Sequence, residues 1–276
     1  MNQQIEQKIT RIVSPIGNGS HVIVPKEWEG DVVMLKRIPK DPKKQILRIL
    51  EPYLSEIIGV YLYGSYARKE QNIKSDVDII VITEKKIRKT KQEIPYDFIF
   101  IEKNKLNKIR NFNPILYYSF LKEAKPLINA SFLEKLRKEE ELPVKKKDFL
   151  RYLRDTREIV AFNEALINMD KEDNKDFIDS GIIYSLILRY RGLYIIDELL
   201  KNKKFSNKIF LSKLKNKIAH NNVDELYDTY RLIRNGKKVD KKIAREKVEL
   251  LIDCLNKEIN HLEKGIKKNA KQKKKK

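Results

Sequence analysis

Three apolar runs between residues 57 and 101 constrain this chain most, because two of them are interrupted by aspartate. Ile57 to Tyr63 is bulky and stops abruptly at Gly64-Ser65; Asp76 to Thr83 and Ile94 to Ile101 follow. Runs of this length, bounded by polar segments, read as buried strands. Asp76 and Asp78 stand at i and i+2, so on a strand both carboxylates project from one face, while Val77 and Ile79 project from the other into a core. Asp97 lies in the otherwise apolar Ile94-Pro95-Tyr96-Asp97-Phe98-Ile99-Phe100-Ile101, where a lone carboxylate is expensive to bury without a partner. If that strand lies beside the first pair, three carboxylates converge.

Carboxylates held side by side repel unless a cation lies between them. Hard oxygen ligands that leave room for phosphates suit Mg²⁺, and such a site can hold two ions about 3.5–4 Å apart. The upstream turn fits the same chemistry. Gly64 lets a phosphate approach the backbone, Ser65 adds a hydroxyl and an N–H, and the residues after it are placed to open a helix, whose N-terminus attracts phosphate oxygens. Arg68 follows closely enough to reach a triphosphate, or to be a solvated helix residue. Asp76, Asp78 and Asp97 are thus the candidate catalytic and metal-binding residues, and Gly64, Ser65 and Arg68 the candidate nucleotide-binding ones.

Gly-Ser, a spacer of about ten residues, Asp-x-Asp and a third Asp on a later strand together resemble the minimal nucleotidyltransferase family of the polymerase-beta-like superfamily. The resemblance spans about residues 42–140. It implies transfer of a nucleoside monophosphate from an NTP, ATP being the first expectation, to an acceptor hydroxyl with Mg²⁺ as cofactor.

The flanking segments complete an α/β pattern. Residues 42–56 have helical spacing, 113–123 and 131–141 read as helices, and Lys125 to Asn129 as a short edge strand. Upstream, residues 8–13, 21–25 and 31–36 read as short strands, with a turn at Gly17-Asn18-Gly19-Ser20. So few strand residues cannot bury much surface alone. Ile16-Gly17-Asn18-Gly19-Ser20 followed by Val22-Ile23-Val24-Pro25-Lys26-Glu27-Trp28 resembles the AbrB-like swapped-hairpin family, which implies interlocked dimers and, often, DNA binding. From about residue 144 the pattern is helical. Ile182, Ile183, Leu186, Ile187, Tyr190, Leu193 and Tyr194 form a broad stripe suited to a central helix, and Val248, Leu251, Ile252, Leu255, Ile259 and Leu262 a narrower one. Four or five packed helices are expected. Cys254 reads as a buried helix residue. The run Lys215-Asn216-Lys217-Ile218-Ala219-His220-Asn221 is similar to the Arg-x4-6-His motif of HEPN domains, but lysines replace the arginine and no tyrosine follows His220 by two positions. His220 is expected to cap a helix end.

The expected fold is therefore α+β. A small β unit (1–40) precedes a nucleotidyltransferase core with a mixed sheet (41–143), an all-α bundle (144–266) and a disordered lysine-rich tail (267–276). The helical half resembles that of aminoglycoside nucleotidyltransferases, which implies an acceptor cleft there. Of the net charge of +21, +14 falls in residues 144–276, so DNA or RNA is a candidate partner beside the NTP and a second copy of the chain. A protein side chain, an RNA end and a small molecule remain open as acceptor. The competing reading is a DNA-binding regulator or antitoxin-like protein whose transferase domain is a sensor or relic. One cysteine, no apolar run of membrane-spanning length and no signal-peptide core point to a cytoplasmic protein with no membrane partner. The Lys, Glu and Ile bias fits a thermophile, or an AT-rich genome.

Overall fold

A computed structural model describes residues 9, 11–35, 42–71, 75–87, 95–139, 148–173, 177–218, 220–234, 236–239 and 243–272, with backbone alone at 220–222 and 268–272. The N-terminal segment is a hairpin, β1 (Ser14–Ile16) paired antiparallel with β2 (Gly19–His21) across Gly17-Asn18, followed by a 3-10 turn at Lys26–Trp28 that holds Trp28 half-buried. The strands expected at 8–13 and 31–36 are not formed by the described residues Ile9, 11–13 and 31–35. The hairpin is also shorter than the apolar pattern suggested, and among the described residues no further strand pairs with it.

The central sheet comprises β3 (Ile57–Leu62), β4 (Val77–Thr83), β5 (Tyr96–Glu102) and β6 (Lys125–Ile128), in spatial order β5-β4-β3-β6. β4 runs antiparallel to β3 and parallel to β5, and β3 is antiparallel to β6, so the sheet is mixed. One face packs on α1 (Lys43–Leu50), whose Ile46 and Leu50 meet Val60, Val77, Ile79, Val81 and Tyr96. The Tyr96 hydroxyl donates to Gln45 Oε1 (2.9 Å), tying β5 to that helix. The helix expected over 42–56 ends at Leu50 and tightens to a 3-10 turn, because Pro52 has no N–H to continue it.

The opposite face carries Tyr61, Ile80, Ile82 and Ile101 and packs on helices from both halves of the chain. Between β3 and β4 lies the one-turn helix α2 (Gly64–Arg68); after β5 come α3 (Leu106–Phe112), α4 (Pro114–Glu123) and, beyond β6, α5 (Ala130–Glu139). α3 stands where the sequence pattern predicts no helix. Asn113 caps α4 by accepting from Leu116 N–H (3.1 Å), with Pro114 in the first turn.

Helices α6 (Asp148–Glu172), α7 (Ser180–Leu200), α8 (Asn207–Lys217), α9 (His220–Arg234) and α10 (Arg245–Gln272) make up the second half. The pattern is not purely helical, for β7 (Phe177–Ile178) pairs with β8 (Ile243–Ala244). Asp179 caps α7 through Gly181 N–H (2.7 Å). The apolar character of α7 extends round most of its circumference because it is central, contacting α4, α6, α9 and α10. A continuous apolar core therefore runs from the sheet through α4 into these helices. Cys254 is half-exposed rather than buried, its Sγ 3.8 Å from the Lys217 carbonyl. Helix α10 continues to Gln272, into the lysine-rich run. The boundaries expected at 40/41 and 143/144, and the side chain of His220, lie outside the described residues. No described helix is long and apolar enough to cross a membrane.

Candidate active site

The last rung between β3 and β4 is Tyr63 N–H donating to the Asp78 carbonyl (2.9 Å). One residue later, at Gly64, φ is 68°. A Cβ at Gly64 would stand 1.9 Å from Asp78 Oδ2 and 2.9 Å from the carboxyl carbon. Conformation and space both require glycine there, and the Asp78 carboxylate rests against the backbone of the Gly-Ser turn. Ser65 comes next, partly buried, and its carbonyl accepts the Glu70 N–H (2.9 Å) to close the turn. Lys69, at φ 61°, ends the helical turn.

Asp78 and Asp97 are directly paired in the parallel β4–β5 ladder. Paired positions project from the same sheet face, and alternation puts Asp76, one residue before β4, on that face too. The structure thus brings the three carboxylates together. Burial pushes the Asp78 carboxyl up to about 6, with Asp97 and then Asp76 adding to the rise, while Arg234 and Arg68 oppose it. Asp76 is raised by burial and by Asp97, again against Arg234. Asp97 itself is exposed at the start of β5. The cost of burial is therefore not what demands its partners; the ladder register sets its neighbours.

Among the described residues, no three Asp, Glu, His or Cys side chains are already gathered round a single ligating point. The donor set nonetheless fits a hard divalent cation. Burial and then the neighbouring Asp97 raise the carboxyls of Asp76 and Asp78, and an inserted cation relieves both the desolvation and the repulsion.

Arg68 leaves α2 in the other direction. Its Nη1 donates to both Glu123 oxygens (2.9 Å each) and its Nε to Glu70 Oε2 (3.1 Å), while the guanidinium lies over the Phe205 ring at 5.0 Å. Burial disfavours the Arg68 charge, but the two carboxylates outweigh it and keep the cation. The expected contact of Arg68 with nucleotide phosphate thus competes with two carboxylates. Arg191 covers Phe205 at 4.9 Å, and Arg189 hydrogen-bonds Tyr152. Arg191 of α7 also acts on Glu123 and on Tyr63.

Sequence reading missed Arg234. It ends α9, far along the chain, yet its charge acts on both Asp76 and Asp78. The available signal was a basic pair, Arg231 and Arg234, in the last turn before Gly236.

Comparison with known proteins gives the region its context. Residues 44–133 match the family model "Polymerase beta, Nucleotidyltransferase". The match encloses Gly64, Ser65, Arg68, Asp76, Asp78 and Asp97, and stops before the second half. Among solved structures the chain is similar to spectinomycin adenyltransferase AAD(9) from Enterococcus faecialis with ATP and spectinomycin, at 15% identity and a TM-score of 0.42 over 79% of this chain and 97% of that one. It is also similar to a nucleotidyltransferase-like protein from Exiguobacterium sibiricum 255-15, at 12% identity and a TM-score of 0.37 over 80% and 75%. No curated protein is a significant match.

Proposed function

We propose that this chain transfers a nucleoside monophosphate, AMP in the first instance, from an NTP to an acceptor hydroxyl. The Asp78–Asp97 register beside the Gly64 turn carries the reading: it supports a carboxylate cluster lying directly against a backbone that phosphate can approach. Asp76, Asp78 and Asp97 would hold Mg²⁺. Bound there, the metal supplies charge neutralisation for the triphosphate and for the leaving pyrophosphate.

The chain's own groups do the positioning. The Gly64-Ser65 backbone and the Ser65 hydroxyl bind phosphate oxygens, with glycine keeping a side chain out of their path. Asp97, on the open side, accepts the proton of the incoming hydroxyl. Arg234 places a cation beside the carboxylates, where phosphate charge arrives. Arg68 holds α2 in place through Glu123.

The experiment is incubation with each α-labelled NTP and Mg²⁺, with and without total RNA and protein, beside an Asp76→Asn/Asp78→Asn variant. Label passing to an acceptor and lost in the variant is the expected result. Transfer retained by the variant would remove these carboxylates from the chemistry.

A second copy of the chain is also part of the reading. Ile12, Val13, Ile16, Ile23, Val32, Met34 and Leu35 are all exposed in one protomer, a density of apolar surface that calls for a cover.

A further inference from the structure

Glu70 closes the Gly-Ser turn and also reaches away from it. Its N–H donates to the Ser65 carbonyl (2.9 Å), while its side chain extends to the second half of the chain. There Glu70 Oε2 accepts the backbone N–H of Asn207 (3.2 Å), the first residue of α8, beside the bond it accepts from Arg68 Nε (3.1 Å). The first N–H groups of a helix have no partner within it, so a carboxylate is well placed there. Burial alone would push the Glu70 carboxyl up, but the bonds from Ser206, Asn207 and Arg68 outweigh it and hold the carboxyl below its ordinary value.

Asn207 carries the contact onward to α9. Its Nδ2 donates to the Tyr227 hydroxyl (3.2 Å), and that hydroxyl lies 3.4 Å from Asn207 Oδ1. The Tyr227 ring packs on Phe210 and Tyr230, at 6.3 and 5.7 Å between centroids, so the hydroxyl is presented from a packed body. Arg234 follows seven residues later on the same helix. That spacing is two turns, so it returns to the same face about 10 Å further along the axis. The helix then ends in a closed form. Gly236, at φ 69°, donates its N–H to the Ile233 carbonyl (2.9 Å), and Lys237 N–H donates to that of Leu232 (3.0 Å). The segment from Tyr227 to Arg234 is therefore held at both ends. This matters because the Arg234 side chain is exposed and rich in rotamers, so the helix backbone decides where its charge falls.

We propose that Asn207 and Tyr227 are positioning residues: with Glu70 they brace α9 against the Gly-Ser turn, so that the turn and Arg234 hold the triphosphate of one NTP from two sides. The brace rests on the transferase reading for the identity of that ligand. Neither residue touches the phosphates. Each acts through Arg234, and that dependence can be measured.

The test is calorimetric binding of α,β-methylene-ATP, whose carbon bridge blocks transfer, to the full-length protein with Mg²⁺. Affinity is then read independently of the reaction. Arg234→Gln should weaken binding about tenfold, as loss of one charge-assisted contact does. Tyr227→Phe keeps the ring and removes the hydroxyl; Asn207→Ala keeps the N–H that Glu70 accepts. Each should weaken binding about threefold, since each loosens Arg234 without removing it. Added to Arg234→Gln, either change should have no further effect, because the group it positions is already gone. Thermal melting of each variant checks its fold. Affinity unchanged in folded Tyr227→Phe and Asn207→Ala proteins would overturn the proposal. So would an equal loss in the wild-type and Arg234→Gln backgrounds, which is the mark of a merely structural role. The expected pattern, with no label passing from any NTP to any acceptor, would keep the brace and sink the transferase reading instead.

Discussion

A methyl group at position 64 has nowhere to go. Gly64→Ala places a carbon against Asp78 Oδ2 at a positive φ, so either the carboxylate turns away or the Gly-Ser turn opens. Transfer should fall at least a hundredfold in a single-turnover assay while the far-UV spectrum stays that of the wild type; near-normal transfer would show that the turn does not position the reacting groups. Asp78 carries a second expectation. Its proton is held up to about pH 6 in the folded chain, against 3.8 for an ordinary aspartate. The folded state therefore binds that proton more tightly, and the associated stability is present in full below about pH 4 and lost as pH rises through 6. Near neutral pH the buried, ionised Asp78 opposes folding by something on the order of 2 kcal/mol. Asp78→Asn should thus melt a few degrees higher than the wild type at pH 7.5 without divalent cation, and the gain should vanish below pH 4. Mg²⁺ should then stabilise the wild type and leave the variant nearly unmoved. An Asp78→Asn protein that melts lower at pH 7.5 would contradict the cost of burial and repulsion assigned to the ionised Asp78.

Among the elements, α2 is too short to hold itself in place, since one helical turn costs more entropy than its hydrogen bonds return. It is anchored by Arg68, whose side chain is 10% exposed, to Glu123 of α4, 3% exposed. Removing one member of such a pair leaves a buried charge alone, so Arg68→Met should cost about 3 kcal/mol or more in urea unfolding. Removing both, with Arg68→Met and Glu123→Leu, should restore most of that stability. It should not restore transfer if α2 positions the phosphate turn. Equal losses in the single and double variants would mean the pair is not what holds the helix. Periodicity made the sheet strands, α4, α5 and the central α7 legible to within a few residues. It missed α3, because Leu106-Asn107-Lys108-Ile109-Arg110-Asn111-Phe112 is short, polar-rich and carries no cap signal. It also overran α1, where Pro52 was the sign to stop.

At the scale of the whole molecule, the helices after residue 148 are not an appendage. Their core is continuous with the Tyr61–Ile80–Ile82 face of the sheet, and α9 carries Arg234, whose charge acts on Asp76 and Asp78. The N-terminal segment is the opposite case, for Ile12, Val13, Ile16, Ile23, Val32, Met34 and Leu35 are exposed, and the proposed dimer would cover them. Val32→Asp/Met34→Asp should convert a dimer to a monomer in light scattering at micromolar concentration, with melting of the catalytic region little affected. A wild type that is monomeric at that concentration would end the dimer proposal. From sequence alone, strand alternation determined which face Asp76 and Asp78 share, and the glycine before Ser65 marked the turn, because both follow from local backbone geometry. Tertiary structure alone decided that Asp97 pairs with Asp78, that Arg68 is spent on Glu123, and that the charge of Arg234 acts on Asp76 and Asp78 from more than 150 residues away. Those contacts depend on strand order and helix packing, which local periodicity does not encode.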